Sequence, residues 1–156
     1  MTPAIRLLER HATPHEVLQY PHDPKNSAYG EEAAHALGLA PESVFKTLLA
    51  QLDDGRLVVA LVPVTATLDL KRLASAAGAR KAKMADPTLA ERTTGYVVGG
   101  ISPLGQRKRL PTFIDESADA LAAIHVSGGR RGLEIRLAPS ALIGLLEART
   151  APLARH

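Results

Sequence analysis

Cysteine is absent from the chain, and so is tryptophan. The first absence removes disulfides, thiolate nucleophiles and cysteine-based zinc sites together, and it fits a reducing compartment. Aromatic residues make up only 3% of the sequence, with two Phe. The stacking platforms used by readers of single-stranded RNA are therefore scarce, and the core must be built from Leu, Val, Ile and Ala. No stretch approaches the ~18 apolar residues of a membrane span. Residues 1–9 lack the apolar run of a signal peptide. The expectation is a soluble, cytoplasmic protein.

What is present is enough for a packed core. The chain has 156 residues, 46% of them hydrophobic, and a domain of this size buries roughly two thirds of its unfolded surface. No repeat, low-complexity segment or long linker divides it, so residues 1–156 are expected to form one domain. The net charge of +3 is unevenly spread. Residues 1–69 carry a balance of −4, residues 70–114 one of +7, and residues 115–156 are neutral. A basic central segment on a near-neutral protein points to an anionic partner such as RNA, with a solvated helix face and a basic loop as the competing explanation.

Local signals alternate between helix and strand. Thr2-Pro3 caps a short helix through Leu8, residues 16–20 can form a strand, and residues 30–37 read as a helix closed by Gly38. Pro41 opens a short helical turn. Residues 45–52 and 56–62 are the clearest strands, separated by the hairpin signal Asp53-Asp54-Gly55. Asp69 caps a helix to Ala77, and Asp86-Pro87 starts another. Residues 96–98, 111–114, 123–126 and 133–137 read as further strands, and Pro139-Ser140 begins a C-terminal helix. The mixture has no regular βαβ period, so the expected class is α+β with a mixed sheet.

The glycine-rich loop Gly99 to Gly105 is the strongest local signal. Its adjacent glycines expose backbone N–H groups and permit close approach of a phosphate, a carboxylate or a developing oxyanion. A plain structural turn is the competing reading. The loop has P-loop spacing from Gly100 to Gly105, but Gln106-Arg107 replaces the required Lys-Ser/Thr. It is one residue too long for a nucleophile elbow, and no G-x-G-x-x-G exists. Lys46 stands at the start of an apolar strand, where a charge is costly unless it faces a cleft; snorkelling from the strand end is the alternative. The six histidines form no metal pattern. His11 and His15 are separated by Thr13-Pro14, and His125 lies in an expected strand. Ser127-Gly128-Gly129-Arg130-Arg131 is a second glycine-rich turn.

Several blocks stand in order along almost the whole chain: Tyr20-Pro21-His22-Asp23, Val44-Phe45-Lys46-Thr47-Leu48 and Met84-Ala85-Asp86-Pro87. The long run from Thr94 through Gly99-Gly100-Ile101-Ser102-Pro103-Leu104-Gly105-Gln106 follows. Arg109-Leu110-Pro111-Thr112, Val126-Ser127-Gly128-Gly129 and Arg131-Gly132-Leu133-Glu134 complete the pattern. Together these blocks resemble the YbaK family of bacterial cysteinyl-tRNA(Pro) deacylases. The resemblance implies a mixed, partly barrel-like sheet flanked by helices, the fold of the editing domain of prolyl-tRNA synthetases. It implies no metal and no organic cofactor. Lys46 matches the family's essential lysine; Tyr20, Gly99 and Ser127 fall at its other pocket positions, and Glu134 stands where close relatives have aspartate. Thr47, Ile101 and Ser102 are grouped with the substrate-binding residues.

An aminoacyl-tRNA ester is already activated, so its hydrolysis needs positioning and oxyanion stabilisation more than chemical power. The amides of Gly99 and Gly100 and the Lys46 ammonium suit that task. The resemblance implies that the cysteine thiol of the substrate attacks its own carbonyl. The expected substrate is misacylated Cys-tRNA(Pro), or Cys-tRNA more broadly. The expected partner is prolyl-tRNA synthetase, in a ternary complex. The expected tRNA contacts are Lys71, Arg72, Arg80, Lys81, Lys83, Arg107, Lys108 and Arg109. An Ala-tRNA(Pro) deacylase of the same superfamily, a non-catalytic tRNA-binding module and a serine hydrolase using Ser102 and His125 are the alternatives.

Overall fold

The computed structural model describes residues 1–156. Helix α1 (Pro3–Arg10) starts as its sequence dictates, with Pro3 in the first turn and the Thr2 hydroxyl accepting from the Ile5 amide at 3.4 Å. Strand β1 (Glu16–Gln19) follows, then α2 (Tyr29–Leu37), which ends at Gly38 in the left-handed region at φ 65°. Strands β2 (Phe45–Leu52) and β3 (Leu57–Pro63) form the expected antiparallel hairpin. Next come β4 (Thr67–Leu68), α3 (Leu70–Ala76), β5 (Ala82–Met84) and α4 (Pro87–Thr94). The chain closes with β6 (Thr112–Asp115), β7 (Ile124–Ser127), β8 (Leu133–Leu137), α5 (Pro139–Leu146), β9 (Arg149–Ala151) and β10 (Ala154–Arg155).

The larger sheet has the order β5-β2-β3-β6-β9, antiparallel up to β3 and parallel beyond it. A smaller antiparallel sheet has the order β1-β8-β7. A parallel bridge between Val44 and His125 joins the two. The result is a mixed α+β fold whose sheets remain open, so the barrel-like character is only partial. β3 is buried on both faces, which explains its unbroken apolar run. Val59 and Leu61 join α1, α5 and the smaller sheet in the main core, with Ile5, Leu8, Leu142 and Ile135. Val58, Ala60 and Val62 pack on the opposite side with Leu73, Phe113 and Leu153.

Residues 96–98 do not form the expected strand. α4 ends at Gly95 with φ 81°, and side chains then capture the backbone. The Tyr96 amide donates to Thr94 Oγ1 at 3.2 Å, and the Val98 amide donates to the Glu91 carboxylate at 2.7 Å. The Tyr96 hydroxyl donates to the Leu104 carbonyl at 2.6 Å and pins both ends of the loop. β-propensity in Tyr-Val-Val loses here to local side-chain bonding.

One arrangement in the larger sheet creates the site. β5 pairs with β2 only at Ala50, Gln51 and Leu52. The Ala85 amide then bonds the Leu49 carbonyl at 3.0 Å, and the chain turns into α4 at the Asp86 cap. The N-terminal half of β2 is left without a strand on that side, and a cavity opens along it.

Candidate active site

The cavity has a volume of about 580 Å³. Its floor comes from Val44 and residues 45–49 of β2, and one wall from Met84, Ala85, Pro87 and Ala90. Tyr20, Ser127 and Glu134, carried by the smaller sheet and its margin, supply the polar side. Residues 98, 99 and 101 of the glycine-rich loop, residues 27–31 at the start of α2, Val64 and Arg130 complete the lining. Of the residues singled out in the sequence, Lys46, Gly99, Tyr20, Thr47, Ile101, Ser127 and Glu134 meet here.

Lys46 forms no salt bridge and its ammonium no hydrogen bond. Burial pushes its pKa below the ordinary lysine value, and the nearby Glu31 carboxylate opposes that shift. Glu134 is 6% exposed. It sits in the middle of the smaller sheet, opposite Leu18 on β1 and Ser127 on β7. Burial pushes its pKa up to about 8, so the carboxyl is mostly neutral at pH 7. Its Oε2 has no hydrogen-bond partner, and neither has Thr47 Oγ1. Tyr20 is pushed up to about 12, first by burial and then by the Glu134 carboxyl.

The loop amides divide the two glycines. The Gly100 amide donates to the Val97 carbonyl at 2.8 Å, so it is spent on the turn and cannot also serve an oxyanion. The amides of Gly99 and Ile101 make no internal hydrogen bond. Gly99 takes φ 93°, and a Cβ there would meet Arg131 Nε at 2.6 Å and the Tyr29 ring at 2.8 Å. Above it, the Arg131 guanidinium lies 4.7 Å from the Tyr29 ring centroid and donates to the Val98 carbonyl at 2.7 Å. Gly100 does not line the cavity; a Cβ there would meet the Arg130 backbone at 2.7 Å. Its glycine is required for close packing of two loops, not for approach of a ligand.

Ser102 also departs from expectation. It is fully buried, lies outside the cavity lining and accepts the Leu104 amide at 3.2 Å, which makes it a turn-former. The alternative Ser102–His125 pair does not exist. His125 Nδ1 is 3.0 Å from Ser43 Oγ, and its Nε2 accepts from Arg136 at 2.9 Å. Arg136 therefore leaves no room for a second partner on that nitrogen.

Sequence reasoning passed over Glu31, which lines the cavity together with Arg130 of the second glycine-rich turn. Nearby, His22 of the Tyr20-Pro21-His22-Asp23 block has Nδ1 2.6 Å from Glu32 Oε1, and Glu32 Oε2 accepts the Asp23 amide at 2.9 Å. Burial raises the Glu32 pKa, but these bonds outweigh it and hold the carboxyl below its ordinary value. His22 also packs on Tyr29, with ring centroids 5.9 Å apart. Two acidic residues in the first turn of α2 were the available signal.

The basic residues fall into two groups, all exposed. Lys71 and Arg72 begin α3, which packs against β5, the strand that carries Lys83; Arg80 and Lys81 lie between. Arg107, Lys108 and Arg109 form a loop tied to the end of α4 by Arg107 N–H to the Thr94 carbonyl and Lys108 N–H to the Thr93 carbonyl. Arg72 donates to the Ala154 carbonyl at 2.8 Å, and Arg109 is 3.4 Å from Glu147.

Comparison with known proteins agrees with this geometry. Residues 22–145 match the model of the aminoacyl-tRNA editing domain. A protein of Enterococcus faecalis, provisionally named Cys-tRNA(Pro)/Cys-tRNA(Cys) deacylase EbsC, is 38% identical over 150 residues, covering 96% of this chain and 91% of that one. A crystal structure provisionally described as a trans-editing enzyme for prolyl-tRNA synthetase superposes with a TM-score of 0.84 at 26% identity, over 100% of this chain and 99% of the other. A hypothetical protein of known structure shares the fold with a TM-score of 0.87 at 20% identity, covering 99% of this chain and 100% of its own. A family match across most of the chain, with the matched segment holding nearly every cavity residue, gives the assignment: the chain belongs to the aminoacyl-tRNA editing domain family.

Proposed function

We propose that the protein is an aminoacyl-tRNA deacylase that removes cysteine wrongly attached to tRNA(Pro), and cysteine from tRNA more broadly. The observation that carries this reading is the cavity itself. An unpaired lysine, two unengaged loop amides and a buried carboxyl converge in it, within a chain 38% identical to a relative named for that activity.

Ester cleavage builds negative charge on the carbonyl oxygen. The Lys46 ammonium and the amides of Gly99 and Ile101 are the donors suited to receive it, and fixed donors need no reorganisation as the charge forms. The chain offers no thiol, and Ser102 and His125 are engaged elsewhere. In this reading the nucleophile is the substrate's own thiol, as the family resemblance implies, with a water held near Lys46 as the alternative. The cysteine sulfur bonds to its own carbonyl carbon and the ester C–O bond breaks. The thiol proton passes to the departing ribose oxygen, and water opens the resulting thiolactone. A thiol with an unperturbed pKa of about 8.5 supplies thiolate near neutrality, and a well-oriented intramolecular attack can reach an effective molarity of roughly 10⁵ M or more.

The reaction belongs in the cytoplasm, where tRNA is charged. Prolyl-tRNA synthetase is the fitting partner, since a weakly bound tRNA gains effective concentration when a second protein holds it. Single-turnover deacylation of Cys-, Ser- and Ala-tRNA(Pro) with saturating enzyme tests the assignment. Fast loss of cysteine alone is the expected result. Comparable rates for serine would remove the thiol from the mechanism, and preference for alanine would move the protein to the sister activity. No turnover of any ester would leave a binding module.

A further inference from the structure

Two buried polar atoms in the cavity have nothing to bond: Glu134 Oε2 and Thr47 Oγ1. Buried polar groups in native proteins are nearly always satisfied, and a pair of orphans facing one cavity marks a place where a ligand completes them. The hydroxyl can donate or accept, and the carboxyl is a donor while protonated and an acceptor through both oxygens once ionised. A basic ligand that brings N–H groups and can take up the carboxyl's proton suits the pair best. The cavity's own cations do not serve. Neither Lys46 nor Arg130 makes an ion pair with Glu134, and burial alone accounts for the behaviour of the Glu134 carboxyl. The other titratable groups lining the cavity are Tyr20, Tyr29, Glu31 and Arg130.

An aminoacyl ester carries one cationic group, its α-ammonium. We propose that Glu134, assisted by Thr47, receives the free α-amino group of the substrate, so that the site accepts only esters whose amine is unsubstituted. This rests on the deacylase reading and adds the feature of the substrate that the site inspects. In the empty cavity the carboxyl holds its proton. When the amine arrives uncharged, that proton passes to it; when it arrives as ammonium, the proton leaves to solvent. Either way the product is a buried ammonium–carboxylate pair. The consequence is protective. Peptidyl-tRNA and N-formylated initiator tRNA carry acylated, neutral amines that cannot take up the carboxyl's proton, so they form no ion pair there.

The test uses tRNA(Pro) charged with cysteine or with 3-mercaptopropionate, which keeps the thiol and lacks only the amine. Each single-turnover rate is divided by the uncatalysed hydrolysis rate of the same ester. The wild-type protein should prefer the amine-bearing ester by about 10–100-fold, the usual range for one charged hydrogen bond. E134Q should shrink that preference below about threefold by slowing only the cysteinyl ester, and E134D should preserve it. Equal wild-type rates, or a preference that survives in E134Q, would overturn the proposal. Equal slowing of both esters by E134Q would do the same, because the carboxyl would then read another group. A binding arm keeps the two readings separable: calorimetry with amide-linked cysteinyl- and mercaptopropionyl-adenosine needs no turnover. If Cys-tRNA is not cleaved, the deacylase reading falls, and the amine preference in binding still decides this one.

Discussion

At the scale of single residues, Lys46 and Glu134 show opposite uses of the same burial. Lys46 is a half-buried cation without a partner, so its removal should cost the fold little and the reaction much. Lys46→Ala should lower single-turnover deacylation by about 10²–10³-fold, as for loss of one oxyanion donor. Its melting temperature should be unchanged or higher. A folded mutant with near wild-type rates would remove Lys46 from the mechanism. Glu134 is expected to set a pH dependence of stability. Its pKa rises from 4.5 to about 8 on folding, so the native state binds the proton more tightly than the unfolded chain. That contribution is fully present below pH 4.5 and is lost as pH rises through 8. Glu134→Gln cannot ionise, so thermal melts should show it gaining on the wild type by a few kcal/mol between pH 4.5 and pH 8, and no further above that. Parallel melting curves across that range would contradict the burial argument.

At the scale of elements, two tight contacts tie together segments distant in sequence. Gly100 packs against the Arg130 backbone, which cannot move aside as a side chain could. Gly100→Val should therefore destabilise the protein by about 1–3 kcal/mol through overpacking and displace the loop that bears Gly99 and Ile101. Urea denaturation measures the first effect and single-turnover kinetics the second. The other contact is Asp115, at the end of β6. It is 4% exposed. Its Oδ1 accepts the Leu153 and Ala154 amides, both at 2.9 Å, and its Oδ2 accepts the Ser117 amide at 3.1 Å. Burial raises its pKa, but these bonds prevail and hold it below the ordinary aspartate value. The stability they supply is present above that ordinary value and is lost as pH falls through the lowered one. Asp115→Ala should cost about 2–4 kcal/mol, since it orphans three buried or part-buried amides. It should also free β10 from β4, and faster amide exchange in residues 153–155 is the measurement.

At the scale of the whole molecule, the charge pattern bears on tRNA. Salt should weaken binding, with a slope of roughly 0.7–0.9 in log K for each neutralised phosphate. The structure ranks the contributors. Arg72 is held by Asp69 and the Ala154 carbonyl, and Arg109 by Glu147, whereas Lys81 and Lys83 have no side-chain partner. Lys83 also adjoins Met84 at the cavity wall. Changing Lys81 and Lys83 together to Glu should flatten the salt slope by roughly 2, while Arg109→Ala should alter it less. A slope unaffected by the double change would place the tRNA on another face.

Much of this protein could be read without its structure. The absence of cysteine excluded enzyme thiols and cysteine-based zinc sites, Thr2-Pro3 and Asp86-Pro87 marked two helix starts, and the apolar run of β3 after Asp-Asp-Gly marked a central strand. These signals are local: caps, turns and alternation act over a few residues, so the chain states them directly. Lys46 was conspicuous for the same reason, as a charge inside an apolar strand. Tertiary structure decided what depends on neighbours distant in sequence. It divided Gly99 from Gly100, because one supports Tyr29 and Arg131 and the other abuts the Arg130 backbone. It assigned Ser102 to a turn and His125 to Ser43 and Arg136. It turned residues 96–98 from a strand into a pinned loop, through Glu91, Thr94 and Leu104. It also put Glu134 in the dry centre of a three-stranded sheet beside an open cavity. Burial is a property of the assembled molecule, and burial is what gives that carboxyl its proton.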